Sequence, residues 1–333
     1  MIYTLELQDD TFIYKRLTSM GFYSCIKQFF LPLLLSHLAC AGVFAASNNK
    51  AIDTITHSTD GWSDNQVKYQ VALLKAALEE SRTLYGDYDL QLSNTGLSSS
   101  RTIWQISNGK ISTGFSAGIS VELETLDADI ERLLLPFLRS LHGLRQCLTH
   151  KSNIPLLSNV SSIERFNKIR FGQGVGWAEA QIYPAAGLSL ITASSVDRLL
   201  LMLEKKRFQC LPLSVLEIDQ ILEQAKANNQ DLAIVPNLYI FYPNPVFINI
   251  TKQPKHISYR VIYGVSRLFE TGKAETIFYD NFAQAVHYTL PANAHIFLLN
   301  NHLLTQSDAS RIESYFYAHY LQSKSLTIHK ALP

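Results

Sequence analysis

A glycine-rich turn is the part of the sequence best suited to binding a small molecule. Residues 171–180 read Phe-Gly-Gln-Gly-Val-Gly-Trp-Ala-Glu-Ala, so a short apolar strand meets alternating glycines and then a helix start. Glycine lets backbone N–H groups approach a ligand closely, and the following helix adds partial positive charge. We expect Gly174, Gly176 and Trp177 to contact an anionic or zwitterionic ligand. A tight turn without a ligand is the alternative, because one such turn is a weak signal.

A serine motif gives the alternative function. Residues 114–118 read Gly-Phe-Ser-Ala-Gly, which fits the turn of serine hydrolases that places its serine between a strand and a helix. A strand-like run precedes Ser116, but residues 119–124 alternate like another strand, and no His-Gly oxyanion segment precedes them. The sequence therefore favours a protein that is not an enzyme, with a hydrolase using Ser116 as the alternative.

Motifs for metals and cofactors are not found in the sequence. The 10 histidines never fall at metal-ligand spacing, and no Cys-x-x-Cys occurs. The glycines at 172, 174 and 176 have the wrong spacing for a dinucleotide fingerprint, and there is no complete P-loop. We therefore expect no metal ion and no cofactor.

Length and composition indicate a globular protein. The chain has 333 residues, 47% hydrophobic and 17% charged, which is enough for two domains or one large one. Its net charge of +1 and its lack of Lys/Arg runs argue against a nucleic-acid partner.

The amino terminus resembles an export signal. Residues 28–45 form an apolar run after Lys27, too interrupted for a comfortable membrane span, and Val43-Phe44-Ala45 suits signal peptidase. We expect residues 1–45 to be a signal peptide cut after Ala45, with Met20 as the alternative true start. An uncleaved anchor and a lipoprotein at Cys40 are weaker alternatives. The mature protein is thus expected in the periplasm.

Two cysteines remain after the predicted cut. Cys147 and Cys210 both lie in strand-like runs. They could form a disulfide in an oxidising compartment, or stay as two buried thiols.

Strands and helices alternate along the mature chain. Strands are predicted at 52–56, 88–93, 110–115, 169–171, 188–192 and 208–211, and helices at 66–84, 98–106, 178–186, 195–203, 216–227, 257–269 and 274–282. This order is typical of parallel sheets with crossover helices. Two runs interrupted by proline, 133–147 and 238–250, are predicted to cross between lobes.

The order of these parts resembles one family. The segments that carry the resemblance are 69–78, 106–110, 172–177, 207–218, 242–245 and the helix pair 257–282. Together they are similar to the type II periplasmic solute-binding proteins, in the branch of extracellular amino-acid-binding proteins of ABC transporters. The resemblance implies a two-lobed α/β fold with two crossover segments. It places the first lobe at 50–140 and 243–305, the second at 141–242, and a helical extension at 306–333.

The resemblance also implies a ligand site between the lobes. Relatives clamp a ligand carboxylate with an arginine, and Arg132 lies at about that place, although 135–139 depart from the usual motif. Glu217 stands where relatives place an acid for a ligand ammonium, and Trp62 could stack on the ligand. Each has a simpler alternative, as an exposed arginine, a solvated helix-start glutamate or a packing tryptophan.

The expected function follows from this resemblance. A monomer would capture a small polar solute, such as an amino acid, by hinge closure. Its partner would be an inner-membrane permease or a sensor, and a degenerate module that binds nothing is a further alternative.

Overall fold

The computed structural model describes residues 2–8, 11–16, 52–118, 129–283, 289–320 and 326–330. The apolar run of the predicted signal peptide, its cut after Ala45 and the start at Met20 lie outside these residues. Among the described residues, no helix is long and apolar enough to cross a membrane.

The described strands occur throughout the chain. In order, they are β1 (Ile2–Gln8), β2 (Thr11–Arg16), β3 (Asp53–Ser58), β4 (Tyr88–Ser93), β5 (Thr113–Ala117), β6 (Ile130–Leu134), β7 (Leu144–His150), β8 (Arg170–Gly174), β9 (Ser189–Ala193), β10 (Leu211–Ser214), β11 (Leu232–Phe241), β12 (Val246–Thr251), β13 (His295–Leu298) and β14 (Thr327–Lys330).

The described helices separate many of these strands. They are α1 (Asp64–Tyr85), α2 (Ser99–Ser107), α3 (Ile154–Leu157), α4 (Ile163–Phe166), α5 (Glu179–Ala185), α6 (Val196–Glu204), α7 (Ile218–Ala227), α8 (Lys255–Glu270), α9 (Lys273–Asn281) and α10 (Gln306–Tyr320). Every helix predicted from the apolar spacing is present, with ends that differ by at most two residues.

The first lobe is built on a seven-stranded sheet in the order β2-β1-β6-β12-β5-β3-β4. Strands β1 and β2 lie within the predicted signal peptide, so a cut after Ala45 would leave the five strands β6-β12-β5-β3-β4. Strands β3, β4 and β5 run parallel, as the alternating pattern predicts. Strand β12 runs antiparallel to both β5 and β6, so the sheet is mixed rather than parallel throughout. The reason is that β12 enters this sheet on the return from the second lobe rather than through a crossover helix.

The second lobe is built on a five-stranded sheet in the order β10-β7-β11-β13-β14. A parallel pair, β8 and β9, continues beside it, where the Gly172 amide donates to the Cys210 carbonyl at 2.9 Å. Cys147 and Cys210 form a disulfide, with their Cα atoms 5.3 Å apart. This bond joins β7 to the residue that precedes β10.

Both predicted crossings are present, and they contact each other. Segment 135–143 leads out of the first lobe and segment 242–245 returns to it. The Tyr242 amide donates to the Gly143 carbonyl at 3.3 Å. A Cβ added at Gly143 would lie 2.1 Å from the Tyr242 carbonyl oxygen, so only glycine permits this approach. The two-lobed α/β fold predicted from the sequence is confirmed.

A third passage between the lobes was not predicted. The sequence assigns 243–305 to the first lobe, but β13 pairs in parallel with β11 of the second, from Leu238↔His295 to Phe241↔Leu298. The short apolar run of β13 gives no sign of which sheet it joins, because a buried strand fits either. The helical extension then lies over the crossings, with Phe316 of α10 stacked on Phe241 at 3.7 Å.

The core of the first lobe depends on a close contact between α1 and α8. A Cβ added at Gly264 of α8 would lie 1.9 Å from the carbonyl oxygen of Ala77 on α1. We expect Gly264→Ala to lower the free energy of unfolding by about 2 kcal/mol, because the two helices must move apart. Urea denaturation measures this change.

A matched glycine separates this contact from ordinary glycine effects. Gly272 has φ +75° and open space around its Cβ position, so Gly272→Ala should cost about 1 kcal/mol from backbone strain alone. If Gly264→Ala instead stabilised the protein by the roughly 1 kcal/mol of helix propensity, the close contact would be refuted.

Candidate functional site

A cleft lies between the two lobes and receives side chains from both. It encloses about 830 Å³ including its open mouth. The first lobe contributes Trp62 and Phe115, and the second contributes Trp177 and Glu217. A concave site lined by apolar side chains with a few convergent polar groups is typical of small-molecule sites.

The wall of the first lobe forms at the carboxyl ends of β3 and β5. These strands are parallel neighbours, so their ends meet at one edge, which is where α/β sheets bind ligands. Trp62 follows β3, and its indole N–H donates to the Phe115 carbonyl at 3.3 Å. Its ring also lies 5.6 Å from that of His142, so the indole is held from two sides.

The glycine-rich turn forms the opposite wall. Gly176 has φ +80°, a left-handed conformation that favours glycine, and it lines the cleft with Trp177. Gly174 has a different role, because a Cβ there would lie 2.3 Å from the Trp177 ring. Gly174 therefore provides the space in which the Trp177 indole packs.

A buried guanidinium lies at the base of the cleft. Arg145 on β7 donates to Glu179 at 2.6 Å and to Glu217 at 3.2 Å. A third nitrogen contact, 3.3 Å, joins it to Nε2 of His142. Arg145 is 3% exposed and Glu179 4%, so solvent screens this charge cluster little.

The crossings take part in the same network. Oε1 of Glu179 also accepts from the Tyr242 hydroxyl at 2.9 Å and the Asn244 amide at 3.1 Å. His142 belongs to the first crossing and Tyr242 and Asn244 to the second. The hydrogen bonds of the cleft base therefore extend directly into the segments about which the lobes would rotate.

Burial shifts the pKa values of side chains at the base of the cleft. Burial, and then the Arg145 guanidinium, lower the pKa of His142 well below its usual value, so the imidazole is neutral at pH 7. Burial also raises the pKa of Glu217, while Arg145 and the Ser214 amide oppose that shift. These two donors limit the rise in the pKa of Glu217 but do not cancel it.

The lobes touch at the mouth of the cleft. The Asn65 amide at the start of α1 donates to Oε1 of Gln220 on α7 at 3.2 Å. A Cβ added at Gly118, which has φ +69°, would lie 2.7 Å from Cβ of Ala178. These contacts belong to an arrangement in which the two walls are already close.

The structure brings together most of the predicted site residues. Trp62, Gly176, Trp177 and Glu217 all line the cleft. Gly174 lies beneath Trp177 rather than on the surface of the cleft.

Arg132 lies elsewhere, which corrects its predicted place. It is on β6 opposite Asn249 of β12, and its Nε donates to the Asn249 side chain at 3.0 Å. Its guanidinium also stacks 5.7 Å from the Phe247 ring. That register buries Arg132 within the first sheet. The guanidinium that lines the cleft is that of Arg145 instead.

Three residues of the base were missed from the sequence. His142, Arg145 and Glu179 all line the cleft. One signal was available, because Arg145 interrupts a strand-like apolar run, and a charge in such a run needs a buried partner. The sequence cannot identify that partner, since Glu179 follows 34 residues later.

Ser116 does not have the surroundings of a hydrolase nucleophile. It lies within β5 and is 6% exposed. Its hydroxyl accepts from the Asn249 amide at 2.9 Å, and no histidine hydrogen-bonds it within the described residues. The segment 119–128, which would form the helix of the hydrolase turn, lies outside those residues. Among the described residues, no three metal-binding side chains cluster.

Comparison with known proteins gives distant structural similarity. No protein-family model matches the chain, and no curated protein matches it. The chain is similar to an ancestral arginine-binding protein bound to glutamine, at 16% identity and a TM-score of 0.47, over 69% of this chain and 97% of that one. The chain is also similar to the amino acid ABC transporter substrate-binding protein AbpA from Streptococcus pneumoniae, bound to L-arginine. The identity is 14% and the TM-score 0.45, over 71% of this chain and 97% of that one. A third similar structure is the GluR0 ligand-binding core from Nostoc punctiforme, in complex with (L)-glutamate. Its identity is 14% and its TM-score 0.44, over 69% of this chain and 98% of that one.

Proposed function

We propose that this protein is an exported binding protein that captures a small polar solute between its lobes. The observation that carries the proposal is the cleft itself, in which aromatic and charged side chains from both lobes face one space. No covalent chemistry is needed, because a solute that contacts both walls stabilises the arrangement in which they are close.

The contacts at the mouth support closure as the mechanism. The Asn65–Gln220 hydrogen bond and the Gly118–Ala178 approach exist only while the walls are close. A ligand that contacts both walls binds the closed form more tightly than a form in which the walls are apart. This difference in affinity shifts the equilibrium toward the closed form.

The partners follow from the same proposal. A monomer in the periplasm would deliver its solute to an inner-membrane permease of the ABC type, or would report its presence to a sensor. Both roles use the same cleft and the same motion, so the binding experiment tests what they share.

A thermal-shift screen of the mature protein, from Ala46 on, tests the function. The panel should contain amines, amino acids, organic acids and sugars, since a ligand at 100 times its dissociation constant stabilises by about 2.7 kcal/mol. Small-angle scattering with the best ligand should then show a smaller radius of gyration. If nothing in the panel raises the melting temperature, or the ligand leaves the radius unchanged, the proposal fails.

A further inference from the structure

The charge of the cleft points to the class of its ligand. Among the described lining residues, the acidic side chains are Asp60, Glu179 and Glu217, and the guanidinium is that of Arg145. His142 is neutral because burial lowers its pKa. The lining thus has three acidic side chains and one guanidinium, a formal excess of two negative charges that attracts a cation.

Arg145 is not available to clamp a carboxylate. A carboxylate ligand is recognised by two parallel N–H groups of a guanidinium fork. Both terminal nitrogens of Arg145 are already occupied, one by Glu179 at 2.6 Å and the other by Glu217 at 3.2 Å. Its Nε has no hydrogen-bond partner among the described residues, but this is a single donor on a cation that two acids already offset.

The two glutamates keep acceptor capacity for a ligand. Every recorded hydrogen bond to Glu179 is made by Oε1, from Arg145, Tyr242 and Asn244. The recorded bonds to Glu217 also end on Oε1. Oε2 of each carboxylate therefore takes no hydrogen bond from the described residues, although both side chains line the cleft.

Aromatic rings complete the surroundings of a cation. Trp62 and Phe115 on one wall and Trp177 on the other line the same space. Indole faces attract ammonium groups, more strongly where water is displaced, and they also cover the alkyl part of an amine. The Trp62 ring is already held by its hydrogen bond to the Phe115 carbonyl, so ligand binding costs little side-chain entropy at this residue.

We propose that the cleft binds a small organic ammonium cation without a carboxylate, rather than an α-amino acid. This inference rests on the proposed function, since it names the ligand class of the same cleft. Oε2 of Glu179 and of Glu217 accept from the ammonium group, and Trp62 and Trp177 enclose it from opposite walls. The amino end of α2, where Ser99 and Ser100 line the cleft, is the feature that could favour a carboxylate, and the experiment tests it directly.

Matched ligand pairs test the inference by calorimetry. Each pair differs by one carboxylate: cadaverine and lysine, and agmatine and arginine. We expect the amine of at least one pair to bind at least about tenfold more tightly than its carboxylated partner. A third arm contains succinate and glucose. Equal or tighter binding of the carboxylated partner in every pair, or binding only in the third arm, overturns the inference but leaves the proposed function intact. No binding in any arm overturns both.

A charge-neutral variant tests which residues recognise the cation. Glu217→Gln keeps the shape and the Ser214 contact, and it should weaken the best amine at least about tenfold. Glu223→Gln on the exposed face of α7 is the control, and it should bind like the unmodified protein. Equal affinities for the two variants, with unchanged melting temperatures in the absence of ligand, would refute the role of Glu217.

The pH profile gives a second readout. Arg145 and Glu179 are the charged groups that act on Glu217, and its raised pKa means that it gains a proton earlier on acidification than an exposed glutamate. Amine affinity should therefore fall from about pH 7.5 to about pH 5, and this fall should be smaller in Glu217→Gln. An identical fall in both proteins would also count against the inference.

Discussion

Arg145→Met should lower the free energy of unfolding by about 4 kcal/mol at pH 7.5, the largest effect expected of any single change in the cleft. The guanidinium is 3% exposed and is bonded to two carboxylates. Removing one partner of a buried ion pair costs about 3–5 kcal/mol, because the remaining charge is left without compensation. Urea denaturation of both proteins measures the difference.

The same variant should show a distinctive pH dependence. Burial already raises the pKa of Glu217, and loss of Arg145 removes the main opposing charge, so that pKa rises further. An acid whose pKa is raised on folding binds more protons in the folded state than in the unfolded state. It therefore destabilises the fold fully above its folded pKa, and this destabilisation decreases as the pH falls. The difference in the free energy of unfolding between the variant and the unmodified protein should therefore become smaller as the pH is lowered from about 7.5 to about 4.5.

An exposed ion pair supplies the control for Arg145. Arg267 of α8 contacts Glu270 at 2.8 Å, with both side chains more than 40% exposed. Arg267→Met should change stability by no more than about 0.5 kcal/mol, with no marked pH dependence. If Arg145→Met behaved in the same way, the charge cluster would not be the buried network described above.

Gly118→Ala should weaken ligand binding by about tenfold to a hundredfold. Its new Cβ would lie 2.7 Å from Cβ of Ala178, so the walls could not approach as closely as they do here. Overpacking of this kind costs about 1–3 kcal/mol, and each 1.4 kcal/mol is tenfold in affinity. Calorimetry with the tightest ligand from the screen measures the loss, and scattering should show less compaction.

Two further variants separate closure from backbone strain. Gly187→Ala has the same left-handed φ, +72°, but meets open space, so its affinity should be unchanged. Combining Gly118→Ala with Ala178→Gly removes the opposing Cβ and should restore most of the affinity. A double variant as weak as Gly118→Ala alone would show that the contact does not limit closure.

The elements were predictable because their signals are local. Strand β4 was predicted with its observed bounds, and the long helix α1 within two residues, because apolar spacing fixes which face is buried. The glycine-rich turn was predicted from its alternating glycines between a strand and a helix, and Gly176 has the positive φ that glycine favours. Local chemistry also indicated Trp177, whereas Trp62 and Glu217 came from the family resemblance.

The charge cluster could not be predicted because its partners are distant in sequence. Arg145 meets Glu179 after 34 residues and Glu217 after 72, and neither separation follows a period. Arg132 was chosen instead because its place resembled that of a clamping arginine. Its side chain is directed by a pairing register with Asn249, which is 117 residues away and leaves no local trace.

The placement of β13 has a consequence for the order in which this chain can fold. The second lobe starts at β7, yet β11 gains its neighbour on one side only when residues 295–298 arrive, after most of the first lobe has been made. Neither lobe can therefore be cut out as one continuous piece, and a fragment ending at residue 242 would leave an unpaired apolar edge open to aggregation. During synthesis, β11 remains without that neighbour until the ribosome has passed residue 298.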